Sequence, residues 1–192
     1  RFDYLPFTDY FWTMRSMLLP LFYLLQQDLP EADVYHSVAT GYCGVVGGVA
    51  ATVYQKPFII TEHGIYSRER EAEIIKSDWA KGDFKSVWIQ YFYHLAKLAY
   101  EAADQVYTLF ELNAKIERDL GCAPEKIGIV PNGVHMERFA GIPPLENHGG
   151  PITIGAVVRV VPIKDIVTLL RAFFLVQQEL PDAKLYVMGN LE

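Results

Sequence analysis

Short apolar runs that end abruptly in polar residues, each followed by a stretch of helical periodicity, are the feature that most constrains this chain. Asp33-Val34-Tyr35-His36-Ser37 and Pro57-Phe58-Ile59-Ile60-Thr61 read as strands, as do 104–109, 126–130, 152–158 and 184–188. They are short and rich in β-branched and aromatic residues. Between them, 44–55 carries apolar residues at helical spacing (Val45, Val49, Val53), and 111–120 and 166–179 read as further helices. Val87, Trp88, Tyr91, Phe92, Leu95, Leu98, Ala99 and Ala102 mark one face of a long amphipathic helix. Gly121 is predicted to stop the helix before it, and the charged stretch 67–83 reads as a polar connection. Strand–helix–strand alternation implies parallel sheets with right-handed crossovers, an α/β fold.

Residues 141–151 hold Pro143, Pro144, Asn147, His148, Gly149 and Gly150, which is linker chemistry. The alternation restarts after them. The expected organisation is a first Rossmann-like domain over 1–140, a linker over 141–151 and the start of a second domain over 152–192, with a cleft between the two. The chain opens on Arg1 and ends just after Val187-Met188-Gly189-Asn190, a strand reaching its loop, so it reads as a piece of a longer protein.

About half of the chain is hydrophobic (51%) and 21% is charged, which predicts a packed core. A net charge of −6, with no basic stripe, argues against a nucleic-acid partner. Cys43 and Cys122 have neither CxxC nor metal-ligand spacing, so no metal is expected, and free thiols fit a reducing cytoplasm. The most apolar run, from Met17 to Leu25, is interrupted by Pro20 and too short to span a bilayer. The opening Arg1-Phe2-Asp3-Tyr4 lacks the pattern of a secretory leader. The aromatic-rich start (Tyr4, Phe7, Tyr10, Phe11, Trp12) reads as a core helix contacting a part of the domain outside this chain, or else as an exposed partner patch.

Ligands of open parallel sheets bind where the strands end, and polar residues gather at these tips. Thr61-Glu62-His63-Gly64-Ile65-Tyr66 follows one apolar run; Arg159-Val160-Val161-Pro162-Ile163-Lys164 follows another. Arg159 and Lys164 place two cations beside a predicted helix start, an arrangement suited to a diphosphate; the plain reading is two solvated loop residues. His63 can reach a sugar hydroxyl or developing charge, or bond a nearby carbonyl structurally. Gly64 allows close approach. Glu62 is a ligand carboxylate or a local ion-pair partner of Arg68 or Arg70. His36 and Ser37 end another strand, as ligand contacts or as caps. Gly44, Gly47 and Gly48 do not form a dinucleotide fingerprint and suit close helix–sheet packing. Asn132-Gly133 predicts a tight turn.

Together, His36-Ser37, Thr61 through Glu71, Pro131-Asn132-Gly133-Val134 and Arg159 through Asp165 resemble the PelF-type branch of retaining family-four glycosyltransferases, enzymes of GT-B fold in bacterial exopolysaccharide synthesis. The resemblance covers nearly the whole chain. It implies an acceptor-side Rossmann-like domain lacking its first strands and the first strand–helix–strand of a nucleotide-sugar donor domain. The family's pair of glutamates would lie beyond Glu192. It assigns His63, Arg159 and Lys164 to catalysis, and His36, Ser37, Glu62, Gly64, Asn132 and Gly133 to substrate contact. Arg159 and Lys164 would hold the leaving diphosphate without a metal or other cofactor, the nucleotide-sugar being a co-substrate. The implied partners are a UDP-sugar donor, UDP-glucose first, a saccharide or lipid-linked acceptor, and a membrane polysaccharide synthase at the inner face of the membrane. The alternative is a sugar-nucleotide-binding or synthase-docking module of the same fold without catalysis.

Overall fold

The computed structural model describes residues 6–143 and 150–190. It divides into two units, Arg1–Val134 and His135–Glu192. In the first, helix α1 (Phe7–Leu25) precedes β1 (Tyr35–Ser37), α2 (Gly41–Tyr54), β2 (Phe58–Glu62), α3 (Tyr66–Lys76), α4 (Phe84–Ala102), β3 (Gln105–Thr108), α5 (Glu111–Asp119) and β4 (Ile127–Ile129). The four strands form one sheet in the order β1-β2-β3-β4, parallel throughout, with Ile60 opposite both Ser37 and Val106. In the second unit, β5 (Thr153–Val157) and β6 (Lys184–Met188) pair in parallel around α6 (Ile166–Glu179). Of the predicted linker, 144–149 lie outside the described residues, as does Tyr4 of the aromatic opening.

Alternation along β2 buries Phe58, Ile60 and Glu62 and leaves Ile59 and Thr61 half-exposed on the opposite face. Phe58, Ile60 and Val106 form the sheet-side core with Ala51 of α2 and Ala96, Ala99 and Tyr100 of α4. Close approach of α2 and α4 depends on glycine. A Cβ on Gly44 would stand 2.8 Å from that of Ala99, and one on Gly48 would stand 2.7 Å from that of Ala102. Gly47 gives room to the Phe58 ring instead. The glycines therefore serve helix–helix packing as much as the predicted helix–sheet packing.

Helix α4 has 19 residues and β3 only 4. A helix of that length spans about 28 Å, against about 13 Å for the strand. The short link Ala103-Asp104 holds the end of α4 level with the start of β3, so the front half of α4 overhangs the C-terminal edge of the sheet. There it builds a second core, in which Trp88, Phe92 and Leu95 pack with Met17 of α1, Ile74 of α3 and Ala80.

Four expectations change. The polar stretch 67–83 contains a helix, α3, anchored by buried Ile74. Leu98 is 53% exposed, and Tyr100 takes the inward position. Helix α1 runs through Pro20 and buries only Met17 within this chain, leaving Phe7, Tyr10, Phe11 and Trp12 exposed, so the opening is a helix that adds little to the core of these residues. Asn132-Gly133 forms no tight turn, and the stretch after β4 is irregular and exposed. Pro131 holds Val130 extended, and the chain passes directly into the next unit at His135.

The end of β2 is held by a buried polar network. Glu62 is solvent-inaccessible. Its Oε1 accepts from the Thr40 hydroxyl at 3.0 Å and the Tyr66 N–H at 3.4 Å, and its Oε2 accepts from the Tyr100 hydroxyl at 2.5 Å. Burial raises the carboxyl above its ordinary value, and these bonds, that of Tyr100 foremost, hold it back. The Tyr100 phenol is pushed far up by burial and by the Glu62 charge, so it remains the donor. The Glu117 carboxylate on α5 is also inaccessible, and neither of its oxygens has a partner among the described residues. Burial pushes it up to about 7; the Thr108 hydroxyl, short of hydrogen-bond geometry, eases this, and the Glu62 charge adds to it.

Two expectations follow for stability. The folded state keeps the Glu117 proton to about pH 7, whereas the unfolded chain releases it near 4.5. Stability from this group is thus complete below 4.5 and is lost as the pH rises through 7, by up to about 3 kcal/mol. Urea unfolding of Glu117→Gln at pH 5 and pH 8 should show a flatter pH dependence than the parent chain; an unchanged slope would contradict this. Tyr100→Phe strips a donor from a buried carboxylate, and the same titrations should give a loss of about 1.5–3 kcal/mol at neutral pH.

Candidate functional site

All four strands of the first unit run the same way, so their polar tips share one edge. At β1, His36 is exposed and its Nε2 lies 2.8 Å from Thr61 Oγ1 of β2. Ser37 is buried and donates to the Ala39 carbonyl at 2.6 Å, which closes the turn into α2. Gly41 opens that helix at φ +76° with the Tyr66 ring against it; a Cβ there would meet the ring. Thr40, at the cap position, gives its hydroxyl to Glu62 and makes no side-chain cap bond to α2. The first amides of α2 therefore have no capping side chain at the edge.

At β2, His63 and Gly64 form the loop into α3, with His63 exposed. A Cβ on Gly64 would stand 2.4 Å from the Glu69 carboxylate, so the space beside this glycine belongs to the Glu69 side chain of α3. Glu62 sits beneath the loop, its charge set against the amide end of α3 where a carboxylate is favoured. Its partners are hydroxyls and an amide, not the arginines expected from the sequence; Arg70 pairs with Glu73 at 2.7 Å. Asn132 and Gly133 lie exposed beyond β4, and nothing stands within reach of a Cβ on Gly133. The edge therefore brings His36, Thr61 and His63 to the surface and keeps Ser37 and Glu62 under it.

Arg159 and Lys164 belong to the second unit. Arg159 is exposed between Val158 and Val160, whose N–H groups donate to Met188 and Asn190 carbonyls at 2.9 and 3.1 Å. The guanidinium thus leaves from a backbone fixed on both sides by the tip of β6. Gly189 makes this possible, since a Cβ there would fall 1.8 Å from the Val158 carbonyl oxygen. Lys164 closes a single 3₁₀ turn, Pro162–Lys164, just before α6. Asp165 caps α6 from the left-handed region (φ +48°), accepting from the Thr168 N–H at 3.3 Å. One donor of the helix start is thereby used by the protein itself.

Sequence reasoning did not single out Tyr100, Thr108 or Glu117. A carboxylate at Glu117, four residues after Asn113 on one face of a short helix, was the available signal. Leu112 and Ile116, the apolar pair of the same helix, suggest a different inward face, but Leu112 is exposed. Among the described residues, no group of three or more His, Cys, Asp or Glu is placed to hold a metal ion. None of the described helices is long and apolar enough to cross a membrane.

Two solved structures of Anabaena HepE resemble the chain. The complex with UDP and glucose aligns with a TM-score of 0.55 and 16% identity, covering 94% of this chain and 43% of that one. The complex with UDP aligns with a TM-score of 0.54 and 14% identity, covering 92% and 51%. The chain thus spans about half the length of the structures it matches or less. At such identities the likeness shows the fold, which is α/β with Rossmann-like parallel sheets, of the GT-B type. No curated protein sequence matches the chain. Residues 1–125 match the family described as "Domain of unknown function (DUF3492)", and the chain belongs to that family.

Proposed function

We propose that the chain contributes the acceptor-side domain, and the opening of the donor domain, of a retaining glycosyltransferase of the PelF type. The reaction moves a sugar from a nucleoside-diphosphate sugar, UDP-glucose first, to a polysaccharide or lipid-linked acceptor in exopolysaccharide synthesis. The observation that carries this reading is the seating of Arg159 and Lys164. Both are exposed, both lie between the tip of β5 and the start of α6, and Arg159 is flanked by two backbone bonds, one to Met188 at the end of β6 and one to Asn190 just beyond it. As C–O cleavage places charge on the departing diphosphate, fixed cations stabilise it without a metal. The guanidinium offers a planar fork and the ammonium a movable point charge. The GT-B fold shared with HepE, a protein solved with UDP and glucose, supports a sugar nucleotide as the ligand.

In this reading His63 contacts the donor sugar or the acceptor from the exposed loop after β2. His36, Asn132 and Gly133 line the acceptor side. Glu62 and Ser37 hold the edge from below, and the Gly64 backbone contacts the substrate beside the Glu69 carboxylate. The donor is a co-substrate, and no other cofactor takes part.

A second reading has its own observation. Phe7, Phe11, Trp12 and Leu18 of α1 are exposed, which supports a role in docking a membrane synthase, with or without transfer.

The test is transfer from UDP-glucose by a protein that carries this chain together with a complete donor domain. Arg159→Ala and Lys164→Ala should each lower kcat about 10²–10³-fold, the loss of about 3–4 kcal/mol of transition-state stabilisation. An exposed charge contributes only about 0–1 kcal/mol to stability, so thermal unfolding should barely move. Undiminished transfer in either variant would remove that residue from the mechanism. UDP-glucose binding without transfer in the parent protein would favour a sugar-nucleotide-binding module without catalysis. The 192-residue chain by itself should show no turnover.

A further inference from the structure

The chain has three tryptophans, at positions 12, 79 and 88, and the fold brings all of them to one groove. It lies in the overhanging helical part of the first unit, between α1, the turn after α3 and the start of α4, and encloses about 290 Å³. Trp88 forms its floor. That ring is buried and packs against Tyr91 and Phe92, with centroids 5.9 and 6.1 Å away. Trp79 stands edge-on to it at 5.2 Å and 87°. Trp12 lines the α1 side, its ring faced by the Arg15 guanidinium at 5.3 Å. Trp12 and Trp79 are 53% and 61% exposed. Asp9, Ser16 and Lys81 complete the lining with acceptors and donors.

Two open indoles around a rigid aromatic floor leave a large apolar area in water, area that a ligand can cover. The polar groups in the same lining make the groove a poor match for an acyl chain or an apolar helix. One carboxylate and one ammonium in the lining provide no net charge for a phosphate. A surface of flat apolar rings with hydrogen-bonding groups beside them matches a neutral sugar, whose ring presents C–H faces and a rim of hydroxyls. The volume lies at the small end of ligand pockets, about 300 Å³, which suits a short saccharide segment. The groove also stands beyond the C-terminal edge of the sheet, the side to which His36 and His63 are brought.

We infer that this groove is a saccharide-binding subsite that holds a segment of the acceptor chain away from the reacting end. Saccharide binding is argued from the groove alone; its identity as acceptor rests on the transferase reading.

Because every tryptophan lines the groove, intrinsic fluorescence and the indole N–H resonances report on it directly. The chain is titrated with neutral oligosaccharides, namely maltohexaose, cellohexaose and N-acetylglucosamine hexamer, and separately with UDP-glucose and sodium dodecanoate. At least one oligosaccharide should give a saturable change in emission and shift the indole resonances. Trp79→Ala, at an exposed position, should weaken that binding more than about tenfold, and Asp9→Ala should weaken it with all three indoles retained. If Trp79→Ala does not fold, the Asp9→Ala comparison decides. No saturable response to any of the three sugars, an equal response in the folded variants, or saturation by dodecanoate alone would overturn the inference. Oligosaccharide binding by a protein that transfers nothing from UDP-glucose would leave the groove standing and remove the transferase. Transfer without oligosaccharide binding would do the reverse.

Discussion

A single buried carboxylate, Glu62, sets the geometry of the edge on which the candidate residues stand. Placing an isolated carboxylate out of water is strongly unfavourable, and its raised proton affinity registers that cost. What makes the position tolerable is that its donors come from three different helices or their caps: Thr40 before α2, the first amide of α3 and Tyr100 of α4. Each bond therefore also fixes an element against the tip of β2. Shifting α2, α3 or α4 would strip a partner from a group that has no water to replace it. The loop His63-Gly64 begins at the next residue, so its starting point is as well fixed as any in the unit.

Helix α4 links this network to the overhang. Its last turns pack Ala96, Ala99 and Tyr100 against the sheet, while its first turns pack Trp88, Phe92 and Leu95 against α1 and α3. One rigid helix thus spans two cores, and the Gly44 and Gly48 contacts keep α2 close along it. The Tyr91 hydroxyl, donating to the Met17 carbonyl at 2.8 Å, ties α1 to the same helix. The aromatic groove and the strand tips are consequently parts of one body, positioned by a common scaffold and not by independent loops.

Much of this was legible in the sequence where apolarity alone decides. The runs around Ile60 and Val106 announce strands, α6 follows its predicted bounds, and Gly121 stops α5 at φ +99° as a helix-ending glycine does. The signal failed where a polar demand overrode the apolar pattern. Periodicity places Leu98 inward, but Tyr100 goes inside, because only a phenol can both fill the core and reach Glu62. Helix α3 gives no signal because Ser67-Arg68-Glu69-Arg70-Glu71 shows no apolar stripe; Ile74 and Tyr66 pack into the core that α4 provides. Local spacing offers Glu62 the nearby arginines, but its side-chain partners are Thr40 and Tyr100, 22 and 38 residues away, contacts that local spacing cannot reveal.

The two histidines of the edge differ in a way that bears on their roles. His36 lies on the sheet face opposite the helices, and its ring is engaged with Thr61 across the strand pair. Turning it toward a ligand would sacrifice that contact, so it is better suited to shaping the surface than to following a reacting group. His63 follows the strand, in a loop whose next residue carries no side chain and whose foundation is the Glu62 network. An imidazole there can change its direction without disturbing the sheet, while the backbone beneath it stays in place. That combination, a movable ring on an immovable base, separates His63 from the other polar residues of the edge.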